Sequence, residues 1–430
     1  MSFPSETVTI SSLAYGGDAV GHIDKKVIFV PDAVPGDVVR VRVKEDKSSF
    51  LRGEIDTIIS PSPHRVEPFC PLSLKCGGCQ WQGVAYLEQL RWKQTIVKES
   101  LNRISDIKSV TIEFCLPSPL DRGYRSIARY PAKVTGKGIV FGYYGRRSHH
   151  ITAVDECPVA CDKINNIAKY MTKLFSNISP DIDIREITIQ ASLKHPSTLV
   201  SITTGENHDL NATASRMIAE IPQLEGVTYI PGPSHHKRFY GRQSRYEYIG
   251  EKLFQITDSS FFQVNIPQTE QLVSLVTEML DLKTSDVLVD GYGGVGLFSL
   301  CAASTDTVIH LYDLSSSAVK DSIHNAKNNG FTAFSAHRAE TLSATRIIGQ
   351  ADILILDPPR KGLGDETVKA ACTFGARTIV YISCNPTTLA RDLKSFIGEE
   401  YTIERVVPVD MFPHTYHIET VVKLKKHKID

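Results

Sequence analysis

Two stretches late in the chain run from apolar residues straight into reactive side chains. Ile379-Val380-Tyr381-Ile382 leads into Ser383-Cys384-Asn385-Pro386, and Asp352-Ile353-Leu354-Ile355-Leu356 leads into Asp357-Pro358-Pro359-Arg360. β-Favouring runs that stop at Asn-Pro or Pro-Pro read as buried strands ending in turns. Open α/β sheets hold their ligands at the carboxyl ends of the strands. The pattern therefore predicts an active-site rim with one thiol and one carboxylate. A cysteine there is a candidate nucleophile, and attack near neutral pH predicts a locally lowered thiol pKa.

A second constellation lies earlier. Cys70, Cys76 and Cys79 form Cys-x5-Cys-x2-Cys, with Gly77 and Gly78 letting the backbone fold tightly. Three thiolates so close repel one another unless a cation or cluster neutralises them. Cys157, followed by Pro158, offers a fourth ligand, and Cys161 is a spare. Cysteine before proline recurs in iron–sulfur ligation. Zinc is the rival occupant, although structural zinc more often takes paired Cys-x2-Cys motifs. The N-terminus has no basic head and no apolar signal core, and no apolar run reaches the length of a membrane span. A reducing, cytoplasmic setting is the expectation, in which nine cysteines favour metal binding and catalysis over disulfides.

These residues need elements to position them. A chain of 430 residues exceeds one ordinary core and predicts two or three domains. Its 42% hydrophobic and 22% charged composition is that of a soluble globular protein, and its zero formal charge excludes no partner. Residues 6–60 read as short strands around Tyr15-Gly16-Gly17-Asp18 and Pro35-Gly36-Asp37, which suits an OB-type barrel or another small β-barrel. Tyr86, Leu87, Leu90, Ile96, Val97, Leu101 and Ile104 recur at helical spacing and predict a packing helix over 86–104, set against the catalytic domain.

From Arg122 to Arg147 there are seven basic residues and no acidic ones. Tyr124, Tyr130, Phe141, Tyr143 and Tyr144 are interleaved with Arg125, Arg129, Lys133 and Lys137. Cations for phosphates and rings for unstacked bases predict contact with RNA. His235 through Arg245 is a second, weaker basic patch.

After residue 255 the pattern is regular α/β. The strand Asp286–Asp290 precedes Gly291-Tyr292-Gly293-Gly294-Val295-Gly296 and a helix from Leu297. Such a turn fits NAD, FAD or S-adenosylmethionine. The next strand ends in Asp313, placed to hold ribose hydroxyls, and Arg338-Ala339-Glu340 points to the adenine end. Tyr401–Val409 and Ile418–Leu424 form a closing antiparallel pair, which marks the methyltransferase variant of the doubly wound fold. Glu419 beside that pair is a candidate base.

Together these motifs resemble the S-adenosylmethionine-dependent RNA uracil-5-methyltransferases, in particular the iron–sulfur enzymes that modify 23S ribosomal RNA. The resemblance covers nearly the whole chain. It implies a multidomain α/β protein: a TRAM (OB-type) barrel over 1–62, a central α+β iron–sulfur and RNA-binding domain over 63–255, and a Rossmann-like methyltransferase domain over 256–430 with a mixed seven-stranded sheet. It implies Cys384 as nucleophile and Glu419 as base. It implies Gln263, in Phe261-Phe262-Gln263-Val264-Asn265, with Tyr292, Asp313 and Asp357 as cofactor contacts. It implies Cys70, Cys76, Cys79 and Cys157 as ligands of a 4Fe–4S cluster. Gly293, Leu297 and Asp313 depart from the family's usual cysteine, asparagine and glutamate. The cofactors expected are S-adenosylmethionine and the cluster; the partner expected is RNA, with no membrane and no obligatory protein partner. Two rivals stand beside this reading: a tRNA uracil-5-methyltransferase, and an iron–sulfur RNA-binding protein without catalysis.

Overall fold

The structure is a computed structural model that describes residues 5–136, 138–177, 181–232, 236–340 and 349–427. Lys137 and His235, two of the basic residues named above, lie outside the described residues.

Strands β1 (Ser5–Leu13), β2 (Ala19–Ile23), β3 (Lys26–Val30), β4 (Val38–Asp46) and β5 (Phe50–Ser60) close a barrel in the order β1-β2-β3-β5-β4. Period-two alternation builds it: Val39 and Val41 are buried while Arg40 and Arg42 face out. Asp37 anchors its base by accepting from Val34 N at 2.7 Å and Ser62 N at 2.8 Å. Helix α1 (Tyr86–Ser100) follows and widens into one π-helical turn at Leu101–Ser105. Of the apolar residues that define its periodicity, Leu90, Ile96, Val97 and Leu101 are buried, whereas Leu87 and Ile104 are exposed.

The central sheet comprises β6 (Ile127–Thr135), β7 (Gly138–Tyr144), β8 (Ile151–Ala153), β9 (Ile184–Ala191), β10 (Thr198–Thr204), β11 (Leu224–Ile230) and β12 (Arg238–Gly241). Its order is β12-β11-β10-β9-β6-β7-β8. Helices α2 (Asp162–Leu174) and α3 (Asn211–Glu220) share a core with it through Ile164, Met171, Ala214 and Met217. Here the expectation of base-stacking rings is corrected. Tyr124, Tyr130 and Phe141 belong to that core, and Tyr144 is exposed. The reason is strand alternation. Ala128, Tyr130 and Ala132 point inward, while Arg129 and Lys133 point out. Arg245 is likewise no surface cation: it is fully buried in the hairpin β13 (Ser244–Ile249)–β14 (Lys252–Thr257), over the Phe262 ring at 5.5 Å.

The last unit carries strands β15 (Val287–Gly291), β16 (Val308–Asp313), β17 (Phe334–Arg338), β18 (Ile353–Leu356), β19 (Thr378–Ser383), β20 (Tyr401–Val409) and β21 (Glu419–Lys426). They lie in the order β17-β16-β15-β18-β19-β21-β20. Only β21 runs against its neighbours β19 and β20. Helices α4 (Ile266–Leu280), α5 (Leu297–Ala302), α6 (Ser316–Asn328), α7 (Asp365–Thr373) and α8 (Pro386–Gly398) accompany the sheet. The near-continuous apolar runs of β18 and β19 are buried throughout, as strands covered on both faces must be.

Candidate active site

Ser383-Cys384-Asn385-Pro386 makes the turn from β19 into α8. The Asn385 side chain caps the helix by accepting from Thr387 N at 3.0 Å, and Pro386 takes the first helical position. Cys384 is thus half-buried at a strand tip and just before a helix N-terminus. The Asp357-Pro358-Pro359-Arg360 turn is fastened to the same helix. Asn385 Nδ2 donates to Arg360 O at 3.1 Å and Thr388 Oγ1 donates to it at 3.3 Å. Buried Asp392 accepts from Leu363 N, Gly364 N and the Tyr381 hydroxyl at 2.8, 3.1 and 2.7 Å.

Glu419 arrives from the reversed strand. Because β21 is antiparallel to β19, its beginning lies at the edge where β19 ends. Thr420 pairs with Ser383, so buried Glu419 comes beside Cys384. Parallel register sets the other tips on this edge: Gly291 pairs with both Tyr312 and Leu356, and Leu356 with Tyr381. Cys384, Glu419 and Asp357 therefore form one electrostatic group, with Arg360 as its cation.

That grouping overturns the expected thiol acidity. The Cys384 thiol is pushed up to about 12, by burial first and then by the charges of Glu419 and Asp357, against Arg360. Burial, then Asp357, holds the Glu419 carboxyl well above its usual range. Burial and the neighbouring Asp290 push Asp357 up to about 7. Several acids crowd one pocket, so the free site retains protons.

The cofactor end is the turn after β15. Gly293 N donates to Tyr312 O at 3.1 Å, and Asp313 accepts from Gly294 N at 3.0 Å and Ser315 N at 2.7 Å. A Cβ on Gly293 would lie 2.6 Å from Leu311 and 2.8 Å from the Asp290 carboxyl carbon, so no side chain fits here. Gly294, at φ +55°, faces open space. Tyr292 is half-buried at φ +64°, with Glu340 among the charges acting on its phenol. Arg338 turns away to donate to Leu314 O at 3.2 Å. Gln263 comes from outside the sheet, buried in the segment that leads into α4. An open backbone turn, a carboxylate at the β16 tip and a half-buried carboxylate at the β18 tip are a set of groups that fits the ribose and cationic sulfonium of S-adenosylmethionine.

Cys70, Cys76, Cys79 and Cys157 line one cavity together with Tyr124, Arg125, Tyr143 and Thr415. Cys161 stands outside that lining, at the N-cap of α2. Among the described residues, no three or more metal-ligating side chains converge on a single ion's position. Burial, then Cys157 and Cys76, pushes the Cys79 thiol up to about 12, against Gln82 and Arg125. Arg125 Nε is buried without a hydrogen-bond partner among the described residues. A guanidinium keeps its proton in proteins, so Arg125 is a cation beside these thiols. Four thiols facing an unsatisfied buried cation fit an anionic cluster bound through all four sulfurs.

Three residues at the rim carry no sequence signal of their own. Tyr15, from the turn between β1 and β2, donates its hydroxyl to Cys384 O at 3.3 Å. Its ring meets Tyr416 edge-on at 5.6 Å, and Tyr416 lies 4.3 Å from the His417 ring. Tyr15 sits 369 residues from its partner, beyond any local pattern.

The reversed seventh strand, the glycine turn after β15 and the acid at the β16 tip define an S-adenosylmethionine-dependent methyltransferase domain. Residues 241–427 match the family tRNA (Uracil-5-)-methyltransferase, and residues 5–55 match the TRAM domain. An uncharacterized RNA methyltransferase of Thermosynechococcus vestitus is 34% identical over 96% of this chain and 96% of its own. One from Nostoc is 32% identical over 97% and 95%. The crystal structure of a Pyrococcus abyssi tRNA (uracil-54, C5)-methyltransferase in complex with S-adenosyl-L-homocysteine superposes with a TM-score of 0.77. It is 27% identical, over 97% of this chain and 99% of that one. The chain belongs to the family of S-adenosylmethionine-dependent RNA uracil-5-methyltransferases and opens with a TRAM barrel.

Proposed function

We propose that this protein methylates carbon 5 of a specific uridine in 23S ribosomal RNA through a covalent Cys384–uracil adduct. The observation that carries the reading is the meeting of Cys384, Glu419 and Asp357 at one sheet edge beside the glycine turn. Carbon 5 of uracil is a weak nucleophile. Attack of the Cys384 thiolate on carbon 6 gives an enolate and makes carbon 5 nucleophilic. S-Adenosylmethionine, held by Gln263, Tyr292, Asp313 and Asp357, supplies the electrophilic methyl group, and its positive charge with Arg360 favours thiolate over thiol. Glu419 then removes the proton from carbon 5, and elimination frees Cys384. A Glu419 carboxyl with a raised pKa suits a base that must also give its proton back.

Cys70, Cys76, Cys79 and Cys157 bind a 4Fe–4S cluster in this reading. The mechanism has no redox step, so the cluster's part is structural or RNA-positioning. What supports a shared ligand is that all four cysteines line one cavity. Iron and sulfide analysis after anaerobic purification tests it; stoichiometric zinc without sulfide overturns it. We also propose the division into 1–62, 63–255 and 256–430. Among the described residues no helix is long and apolar enough to cross a membrane. A cytoplasmic site of action is part of the proposal.

The second reading is a tRNA substrate, favoured by the full-length likeness to the Pyrococcus abyssi enzyme. Mapping 5-methyluridine in RNA from cells lacking the gene decides between them. Loss from 23S RNA is expected; loss only from tRNA selects the second reading.

A further inference from the structure

The catalytic rim is closed by a residue that the methyltransferase domain does not supply. We infer that Tyr15 of the N-terminal barrel is a positioning residue for the Cys384 nucleophile. This rests on the adduct reading above.

The turn carrying Tyr15 is fixed from several sides. It is closed by Ala14 N donating to Asp18 O at 2.9 Å and Gly17 N donating to Ala14 O at 3.1 Å. Fully buried Trp81 donates its indole N–H to Gly17 O at 3.0 Å. Asp18 is ion-paired with Arg147. Gly17 has φ +99°, and a Cβ there would lie 2.9 Å from Gln80 and 3.0 Å from Tyr416, so the turn sits tight against the loop before β21. The Tyr15 ring stands edge-on to Tyr416, and His417 follows, two residues before Glu419. One aromatic row thus runs from the barrel to the strand that bears the proposed base.

The hydroxyl acts on the nucleophile's own peptide group. The Cys384–Asn385 peptide is held on one side by the Asn385 helix cap and on the other by the Tyr15 hydrogen bond to Cys384 O. Rotation of that peptide swings the strand tip, and with it the sulfur. Attack on carbon 6 needs the thiolate in a narrow approach geometry, so small displacements slow it. Burial and the Cys384 charge also keep the phenol protonated, pushed up to about 12. Tyr15 is therefore a donor, not a base for the thiol.

Tyr15→Phe keeps the ring edge on Tyr416 and removes the donor. Single-turnover adduct formation with RNA carrying 5-fluorouridine should slow about fivefold, the loss of one ordinary hydrogen bond. RNA affinity and melting temperature should stay within error of the wild type. Gly17→Ala, which pushes the turn off Tyr416 but leaves the phenol, should slow the same step and serves as a second variant if the first folds poorly. Wild-type rates in both variants overturn the inference. So does weakened RNA binding with unchanged adduct chemistry, which makes Tyr15 an RNA contact. Absence of any adduct in the wild type is a different result: it overturns the proposed function itself.

Discussion

Cys384 is kept a thiol by burial and then by its neighbours, and that sets how it titrates. Removing an anion beside a thiol lowers its pKa, so Glu419→Gln should shift the pH profile of Cys384 alkylation by iodoacetamide to lower pH than in the wild type. Mass spectrometry of the alkylated peptide across pH checks the direction. The same substitution removes the proposed base, so the Cys384 adduct on RNA should accumulate while turnover falls by about two orders of magnitude or more. A denaturing gel with labelled RNA reads both. The placing of Cys384 at a strand tip was legible in sequence because strand end, helix cap and proposed nucleophile fall within eight adjacent residues. Its acidity was not legible. Glu419 and Asp357 come to it from other strands, and only their register brings the charges together. Gly293 shows the same limit: the Leu311 side chain that denies it a Cβ lies on the next strand.

At the scale of elements, α1 does more than pack. Lys93 Nζ lies 2.5 Å from Asp410 Oδ1, both side chains fully buried, and the Tyr86 hydroxyl donates to the other Asp410 oxygen at 2.8 Å. Gln89 accepts from His414 N at 2.9 Å. The helix thereby grips the loop between β20 and β21. Breaking a buried pair strands a charge, so Lys93→Met should destabilise the protein by about 3–5 kcal/mol, and adding Asp410→Leu should recover most of that. Urea unfolding of the two variants measures it. Helical periodicity revealed α1 but showed Lys93 only as a polar residue between apolar ones. Its partner lies more than 300 positions away, outside any sequence window. The basic, aromatic segment misled for a related reason. Alternation along a strand sends Tyr130 and Arg129 to opposite faces, and composition alone does not say which face is covered.

Across the whole molecule, the cysteine cavity and the proposed base share a wall. Thr415 lines the cavity, Trp81 N donates to His414 O at 2.9 Å, Tyr124 donates to Pro413 O at 3.2 Å, and Phe69 meets the His414 ring at 4.8 Å. Emptying the cavity should loosen residues 412–417 before it loosens anything in the barrel. In Cys157→Ser, iron and sulfide should be lost. Amide exchange should rise in that loop while β1–β5 stay protected, and mass spectrometry of peptic fragments locates the change. The N-terminal barrel and the C-terminal seven-stranded sheet were legible from strand spacing and glycine turns. The interlocking of the parts was not, because it rests on single hydrogen bonds between distant segments.

The place of β21 also governs how the chain can mature. The last strand in sequence slots between β19 and β20, and it delivers Glu419 as it does so. Until then β19 and β20 each carry an unpaired edge, prone to wrong partners. A chain still emerging from the ribosome therefore holds its thiol without the proposed base beside it, and under the proposed mechanism turnover waits for completion of the sheet.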